Sequence, residues 1–371
     1  MNATPVYGFE KLTPLAEYPT PSDDPRTYPA LHAENMDAIE TAIKYRRASY
    51  DYVIYSSGDV LVVDDSHGVP VIGHTDISDI IANCHGNILI CTDIYPTSTI
   101  IIKDGDRIKF APGCITYPQN DVDVFYFRKN SALENPIVDT SGISFTHSVY
   151  YFSAAERFYT GAISPLYASI AKLINARAIG GTGTGTGNAL CLESVRGIAS
   201  SWGFISGIEA EIYINGYEYG CLMHCDGRVN TDWINANVIK IIANNCVNFI
   251  YELHTGLEPG DISGNTYFTW LQWGANSVTG ITLGSSYAKV YPLSLIWDVP
   301  FGSFGLHFLP KSAQNFAIAP CQNLEILDEG KDNLVVQRLH NSANNTRTEN
   351  HGERIGLGVP ESVAHNLTGI P

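Results

Sequence analysis

Along most of this chain, apolar and polar positions alternate in short bursts that are cut off by turn residues. Between residues 86 and 117, GNILICTDIYPTSTIIIKDGDRIKFAPGCITY holds three such bursts: NILIC (87 to 91), STIIIK (98 to 103) and RIKFAPG (107 to 113). Each is about one strand long and the links are short, which suits the coils of a solenoid better than long hairpins. Similar phrases recur downstream as GCLMHCDG (220 to 227), IYELHTG (250 to 256), GITLGS (280 to 285) and GLHFLP (305 to 310). From Gly220, Ile250, Gly280 and Gly305 the steps are 30, 30 and 25 residues. Strand-like sequence at that period, without helix between, predicts one solenoid turn per repeat. Within the first phrase Cys221, Met223 and Cys225 share one strand face and His224 takes the other; a 30-residue step then sets Leu253 over Met223 and His254 over His224.

The ends differ. Residues 1 to about 28 carry Pro5, Pro14, Pro19, Pro21 and Pro25, too many for regular structure, and predict an extended arm. PALHAENMDAIETAIKYRR then places Leu31, Met36, Ile39 and Ile43 at helical spacing, with Lys44, Arg46 and Arg47 at the C-terminal end where they suit the helix dipole. In TDISDIIANC, Thr75 is the expected cap of a short helix carrying Ile77, Ile80 and Ile81. The expected division is an arm and amphipathic helix at 1–49, a small β piece with capping helix at 50–85, the solenoid at 86–340 and a polar C-terminal extension at 341–371.

Composition narrows the function classes. With 371 residues and 44% hydrophobic content the chain can bury a large core. Its 22 Lys+Arg against 38 Asp+Glu give a net charge of −16, which disfavours a phosphate-neutralising surface, so no nucleic-acid partner is expected. The first residues lack the basic, apolar and small-residue order of a secretory signal, so synthesis in a host cytoplasm is expected. The most apolar stretch, residues 234 to 253, is broken by Asn235, Asn237, Lys240, Asn244, Asn245 and Asn248, and no membrane insertion is expected. Eight cysteines without CxxC spacing read as small core residues.

From about Tyr50 to Asp332 the chain resembles the pectate-lyase-like right-handed parallel β-helix superfamily. YVIYSSGDVLVVDDSHGVPVIGHTDISDIIANCHGNILICTDIYPTSTIIIKDGDRIKFAPG carries the likeness: a small β piece and a capping helix ahead of a first coil. The resemblance implies an all-β fold, a single-stranded right-handed parallel β-helix with an N-terminal arm and short α-helices. PTPSDDPRTYPALHAENMDAIETAI is similar to the segments that attach virus tail spikes and fibres to a virion. That likeness implies a homotrimer, located in a virion tail and joined to tail or baseplate proteins through residues 1–49.

GGTGTGTG (180 to 187) lacks the Gly-Lys-Ser/Thr and GxGxxG contexts of phosphate loops and reads as a turn into a coil, so no cofactor is expected. Cys221, His224 and Cys225 cannot converge on one ion while the strand alternates, so no metal is expected. Glu209 and Glu211 share a strand face, but a coil step near 29 stacks Glu211 on Lys240 as a surface ion pair. The loops HCDGRVNTDW and HTGLEPGDISGN gather Asp226, Asp232, Glu252, Glu258 and Asp261 with His224 and His254. A glycan lyase or glycosidase would draw on Asp226, Glu252, Asp261 and His254 for general acid/base work. TYFTWLQWG supplies Tyr267, Trp270 and Trp273 beside Asn265 and Gln272. Aromatic faces stack on sugar C–H surfaces and amides bind hydroxyls, so His224, Tyr267, Trp270, Gln272 and Trp273 are the expected ligand-binding residues for a host-surface glycan. The leading expectation is a tail spike or fibre that binds host glycan or glycoprotein; the alternatives are a polysaccharide-degrading enzyme on the same fold and a purely structural baseplate component.

Overall fold

The computed structural model describes residues 49–57, 60–65, 76–156, 158, 170–181, 186–194, 203–226, 232–254, 261–294, 297–321, 325–338 and 353–357. The expected arm and helix before residue 49, Thr75, residues 182–185 of the glycine run and Glu258 lie outside the described residues.

The chain is mostly β. Its elements are β1 (Tyr52–Ser57), β2 (Val60–Asp65), α1 (Ile77–Asn83), β3 (Asn87–Ile90), β4 (Ile100–Ile102), β5 (Arg107–Phe110), β6 (Phe125–Phe127), β7 (Ala132–Glu134), β8 (Ile137–Asp139) and β9 (Ser148–Ser153). Then come β10 (Lys172–Ile179), β11 (Asn188–Ser194), β12 (Gly203–Ser206), β13 (Glu209–Asn215), β14 (Tyr219–Cys225), β15 (Asp232–Asn235), β16 (Val238–Asn244), β17 (Asn248–His254) and β18 (Asp261–Ser263). The last are β19 (Thr266–Gln272), β20 (Thr279–Leu283), β21 (Lys289–Pro292), β22 (Phe304–Phe308), β23 (Phe316–Ala319), β24 (Ile326–Asp328), β25 (Leu334–Arg338) and β26 (Glu353–Leu357).

Three sheets collect these strands. The first runs β2-β1-β3-β5-β7-β10-β13-β16-β19-β21-β23-β25-β26, with β8 also on β10; the second runs β24-β22-β20-β17-β14-β11-β9-β6-β4; the third is β12-β15-β18. The β1/β2 hairpin is antiparallel. The pairings that follow it are parallel, and sheet neighbours are separated in the chain by at least one other strand, except β25 and β26, which pair directly. From β13 onward the chain visits the first, second and third sheets in rotation. After β18 the third line continues as single bridges, Ser263 to Ser286 to Ala313 to Lys331. The opening bursts fit this scheme: β3 and β5 pair directly in the first sheet, Asn87 on Arg107, while β4 between them belongs to the second. The first sheet runs through the expected boundary at residue 85, and β26 adds to its far edge.

The interior is built of stacked rows, because in-register parallel strands place like positions over like positions. In the second sheet Ile100, Phe125, Tyr150, Leu190, Cys221, Ile250, Ile281, Leu306 and Ile326 form one row, each essentially without exposed surface. Ala210, Ile239, Tyr267, Val290, Ala317 and Val335 form the facing row of the first sheet. At the corner entering the first sheet, asparagines replace apolar residues. Asn265 Oδ1 accepts from the Asn237 backbone N–H at 3.1 Å and from Asn237 Nδ2 at 3.0 Å, while Asn265 Nδ2 donates to the Ile234 carbonyl at 3.1 Å. Asn315 and Asn333 repeat the arrangement further along. These side chains satisfy buried backbone groups that a turn would otherwise leave unpaired. Glycine serves a tighter corner: a Cβ on Gly180 would lie 2.0 Å from the Gly216 carbonyl oxygen, and Gly216 itself has φ +81°.

Two local expectations change. The helix α1 is capped one residue later than expected, by Asp76, whose carboxylate accepts from the Ser78 N–H at 2.8 Å. Ile77, Ile80 and Ile81 are buried as expected, and Lys103 Nζ donates to the carbonyls of Ala82 and Cys84 at the helix end. The second change is one of parity. Met223 pairs with Glu252, His224 with Leu253 and Cys225 with His254, so the step is one residue shorter than the 30 counted from the phrases. A slip of one position exchanges the faces of a strand. Glu252 and His254 therefore take inward positions of β17, and Leu253 lies beside His224.

Candidate functional site

The outer face of the first sheet carries a constellation that the parallel register assembles from four distant segments. On β10, β13, β16 and β19 the outward positions fall into two lines. Arg177, Tyr213, Ile242 and Trp270 are mutually in register, and one pleat further along Ile179, Asn215, Asn244 and Gln272 form the second line. Between them the inward Ala178, Ile214 and Ala243 form the floor of a shallow groove of about 270 Å³, lined by both rows. Trp270 is 53% exposed and Gln272 and Asn215 are exposed, so an aromatic face and a set of amide groups reach solvent together. The Arg177 guanidinium carbon sits 5.9 Å from the Tyr213 ring centroid, a cation–π contact. Beside the groove the aromatic character continues, with Phe268 stacked on Tyr291 at 5.5 Å and Tyr291 near Phe316 at 5.9 Å. Two ion pairs edge it: Lys172 to Glu209 at 2.6 Å and Lys240 to Glu211 at 2.7 Å. The Glu211–Lys240 stack predicted from the 29-residue step is present.

A second polar cluster lies on the outer face of the second sheet. Tyr151 OH donates to Glu193 Oε2 at 2.7 Å, and His224 Nδ1 lies 3.2 Å from Glu193 Oε1. Burial raises the Glu193 pKa, but the hydrogen bonds from His224 and Tyr151 outweigh it and hold the carboxyl below its usual range. Burial, then the bond to Glu193, push the Tyr151 hydroxyl well up.

The sequence-predicted residues separate into groups. Trp270 and Gln272 lie in the groove. His224 is half-buried on the other sheet, against Glu193. Trp273 is also half-buried, its ring 4.9 Å from Phe249 and 6.2 Å from Trp297, where it fills space. Asn265 belongs to the buried corner ladder. Tyr267 is interior with no exposed surface, and so is Glu252, so neither the expected ligand-binding tyrosine nor the expected acid/base carboxylate reaches solvent. Tyr267 OH donates to Glu252 Oε1 at 2.5 Å and touches Met223 Sδ at 3.2 Å, while the Ser285 N–H donates to Glu252 Oε2 at 3.1 Å. Burial pushes the Glu252 carboxyl up to about 7. Asp226 follows β14, its backbone N–H on the Ser194 carbonyl. Asp232 and Asp261 open β15 and β18, which are neighbours in the third sheet. The four carboxylate and imidazole residues thus do not form one exposed set, since Glu252 is enclosed and His254 takes an inward position.

Arg177, Tyr213, Asn215 and Asn244 were not found from sequence. Steps of 29 and then 28 residues align Tyr213 with Ile242 and Trp270, so the register held that signal. Arg177 was hidden by the bulge in β10 between Leu173 and Ala176, which breaks the count. No protein-family model, curated protein or solved structure matches this chain.

Proposed function

We propose that the three sheets are the walls of a right-handed single-stranded parallel β-helix, and that this chain is a viral tail spike- or fibre-like protein that binds a host-surface glycan along the outer face of its first sheet. Handedness follows from the general rule for parallel crossovers, which are right-handed in about 98% of cases. The observation that carries the binding assignment is the pairing of the exposed Trp270 line with the amide line Asn215, Asn244 and Gln272. Rings supply flat apolar faces for sugar C–H surfaces, amides supply donors and acceptors for hydroxyls, and the strand-to-strand repeat of about 4.8 Å approximates the advance of one sugar unit in an extended chain. A shallow site of this kind binds weakly by itself. Homotrimeric assembly, with attachment to tail or baseplate proteins through residues 1–49, supplies the avidity. The enzymatic alternative gains nothing from Glu252, because a carboxyl with no exposed surface does not touch a polysaccharide outside the coil.

The test is a glycan array probed with the full chain and with Trp270→Ala. The expected result is selective glycan binding that falls by about tenfold or more in the variant, as for loss of one aromatic anchor, with an unchanged melting temperature. Absence of any glycan binding, or binding indifferent to Trp270, overturns the proposal.

A further inference from the structure

The groove has a polarity along its length. Its Trp270 end is aromatic and uncharged, whereas its β10 end presents Arg177, the single charged side chain among the described residues that line it. The other cations beside the groove, Lys172 and Lys240, are each met by a glutamate. Among the described residues no carboxylate reaches ion-pair distance of Arg177, although the whole chain carries a net charge of −16 and acidic residues outnumber basic ones. The Arg177 guanidinium lies over the Tyr213 ring at cation–π distance. The N–H edge of a guanidinium held in this way is a fork that matches a planar carboxylate or the oxygens of a sulfate.

Resting on the glycan-binding assignment above, we infer that the saccharide is anionic, with a carboxylate or sulfate group on Arg177 and a neutral ring stacked on Trp270. The two anchors are three strands apart in register, roughly 14 Å at ordinary strand spacing. The bound segment is therefore an oligosaccharide lying across the strands, along the direction in which they stack, with its hydroxyls over Asn215, Asn244 and Gln272. A monosaccharide does not span both anchors. The acidic substituent supplies direction, because only one end of the groove meets it.

Calorimetric titration of the full chain with defined oligosaccharides tests this. The probes are hyaluronan fragments and oligosialic acid for carboxylates, heparin fragments for sulfates, and dextran and mannan fragments as neutral chains. The expected outcome is affinity for one of the anionic sets over the neutral ones. Arg177→Gln should lower that affinity about ten- to a hundredfold, as for loss of a charge-assisted hydrogen bond, and Arg177→Lys should lower it less. Whichever anionic set binds identifies the group on Arg177. Unchanged affinity in Arg177→Gln, or equal affinity for neutral chains, overturns the inference. If Trp270→Ala abolishes binding in that case, the glycan assignment stands and only the charge assignment falls. If no probe binds and the array is also blank, the glycan assignment falls and the inference with it. Melting curves of each variant separate lost contacts from lost fold, and Arg177 is exposed, so its replacement leaves the interior intact.

Discussion

Glu252 is the residue at which local identity and position conflict most. Its row in the second sheet otherwise holds Phe127, Phe152, Leu192 and Met223, with the two phenylalanine rings stacked at 4.2 Å. A carboxyl in that row is tolerated when protonated and bonded to Tyr267 and the Ser285 N–H; ionised, it is a charge removed from water. Because burial raises its folded pKa from 4.5 to about 7, the native state holds a proton that the unfolded chain releases. The resulting stabilisation is complete below about pH 4.5 and is lost as pH rises through 7, a change on the order of 3 kcal/mol. Glu252→Gln keeps the shape, can donate to Tyr267 and accept from Ser285, and cannot ionise. Thermal melts from pH 4 to 9 should show this component of the fall in the wild type and not in the variant, which should be the more stable at pH 8. Parallel pH profiles for the two proteins would count against this account.

Among the elements, the corner entering the first sheet depends on asparagines more than on turn propensity. Asn265 accepts two bonds from Asn237 and donates one to Ile234, all fully buried. Asn265→Ala removes the acceptor of the Asn237 backbone N–H, one of the bonds of the Asn237 amide, which keeps the Ile205 carbonyl and the Ile208 N–H, and the side-chain donor to the Ile234 carbonyl, and the loss should be about 2 to 4 kcal/mol by urea denaturation. Asn265→Asp retains the acceptor but buries a charge, and should be no better at neutral pH. A cost within about 0.5 kcal/mol would show that water or backbone rearrangement replaces the ladder. The short helix α1 was legible from its isoleucines, while its cap lies one residue later than expected, at Asp76, because aspartate and threonine side chains can both accept from the first-turn N–H groups.

At the scale of the molecule, stacked parallel strands put each strand in contact chiefly with its neighbours in the sheet. The groove exists only where four neighbouring strands carry compatible outward residues, so it is a property of the sheet and of no single strand. Three such arrays held side by side would multiply a weak site into a useful one. Native mass measurement of the full chain should give a species of three chains that persists on dilution. A stable monomer would remove the avidity on which the spike reading depends.

Sequence by itself determined that this chain is built of short strands at a spacing near 29 residues, because period-two alternation and turn residues act locally. It also determined the position of α1, the buried character of seven of the eight cysteines, Cys91 being half-buried, and the stacking of Glu211 on Lys240. Tertiary structure alone decided which residues share a face. A 30-residue count sets Leu253 on Met223 and His254 on His224, yet a step shorter by one residue puts Glu252 on Met223 and exchanges inside for outside, since a strand presents its side chains with a period of two. For the same reason Trp270 was readable as an exposed aromatic while Tyr267, three residues earlier, became core. Arg177 joined Tyr213 and Trp270 only through register across a bulged strand, a relation that no local pattern encodes.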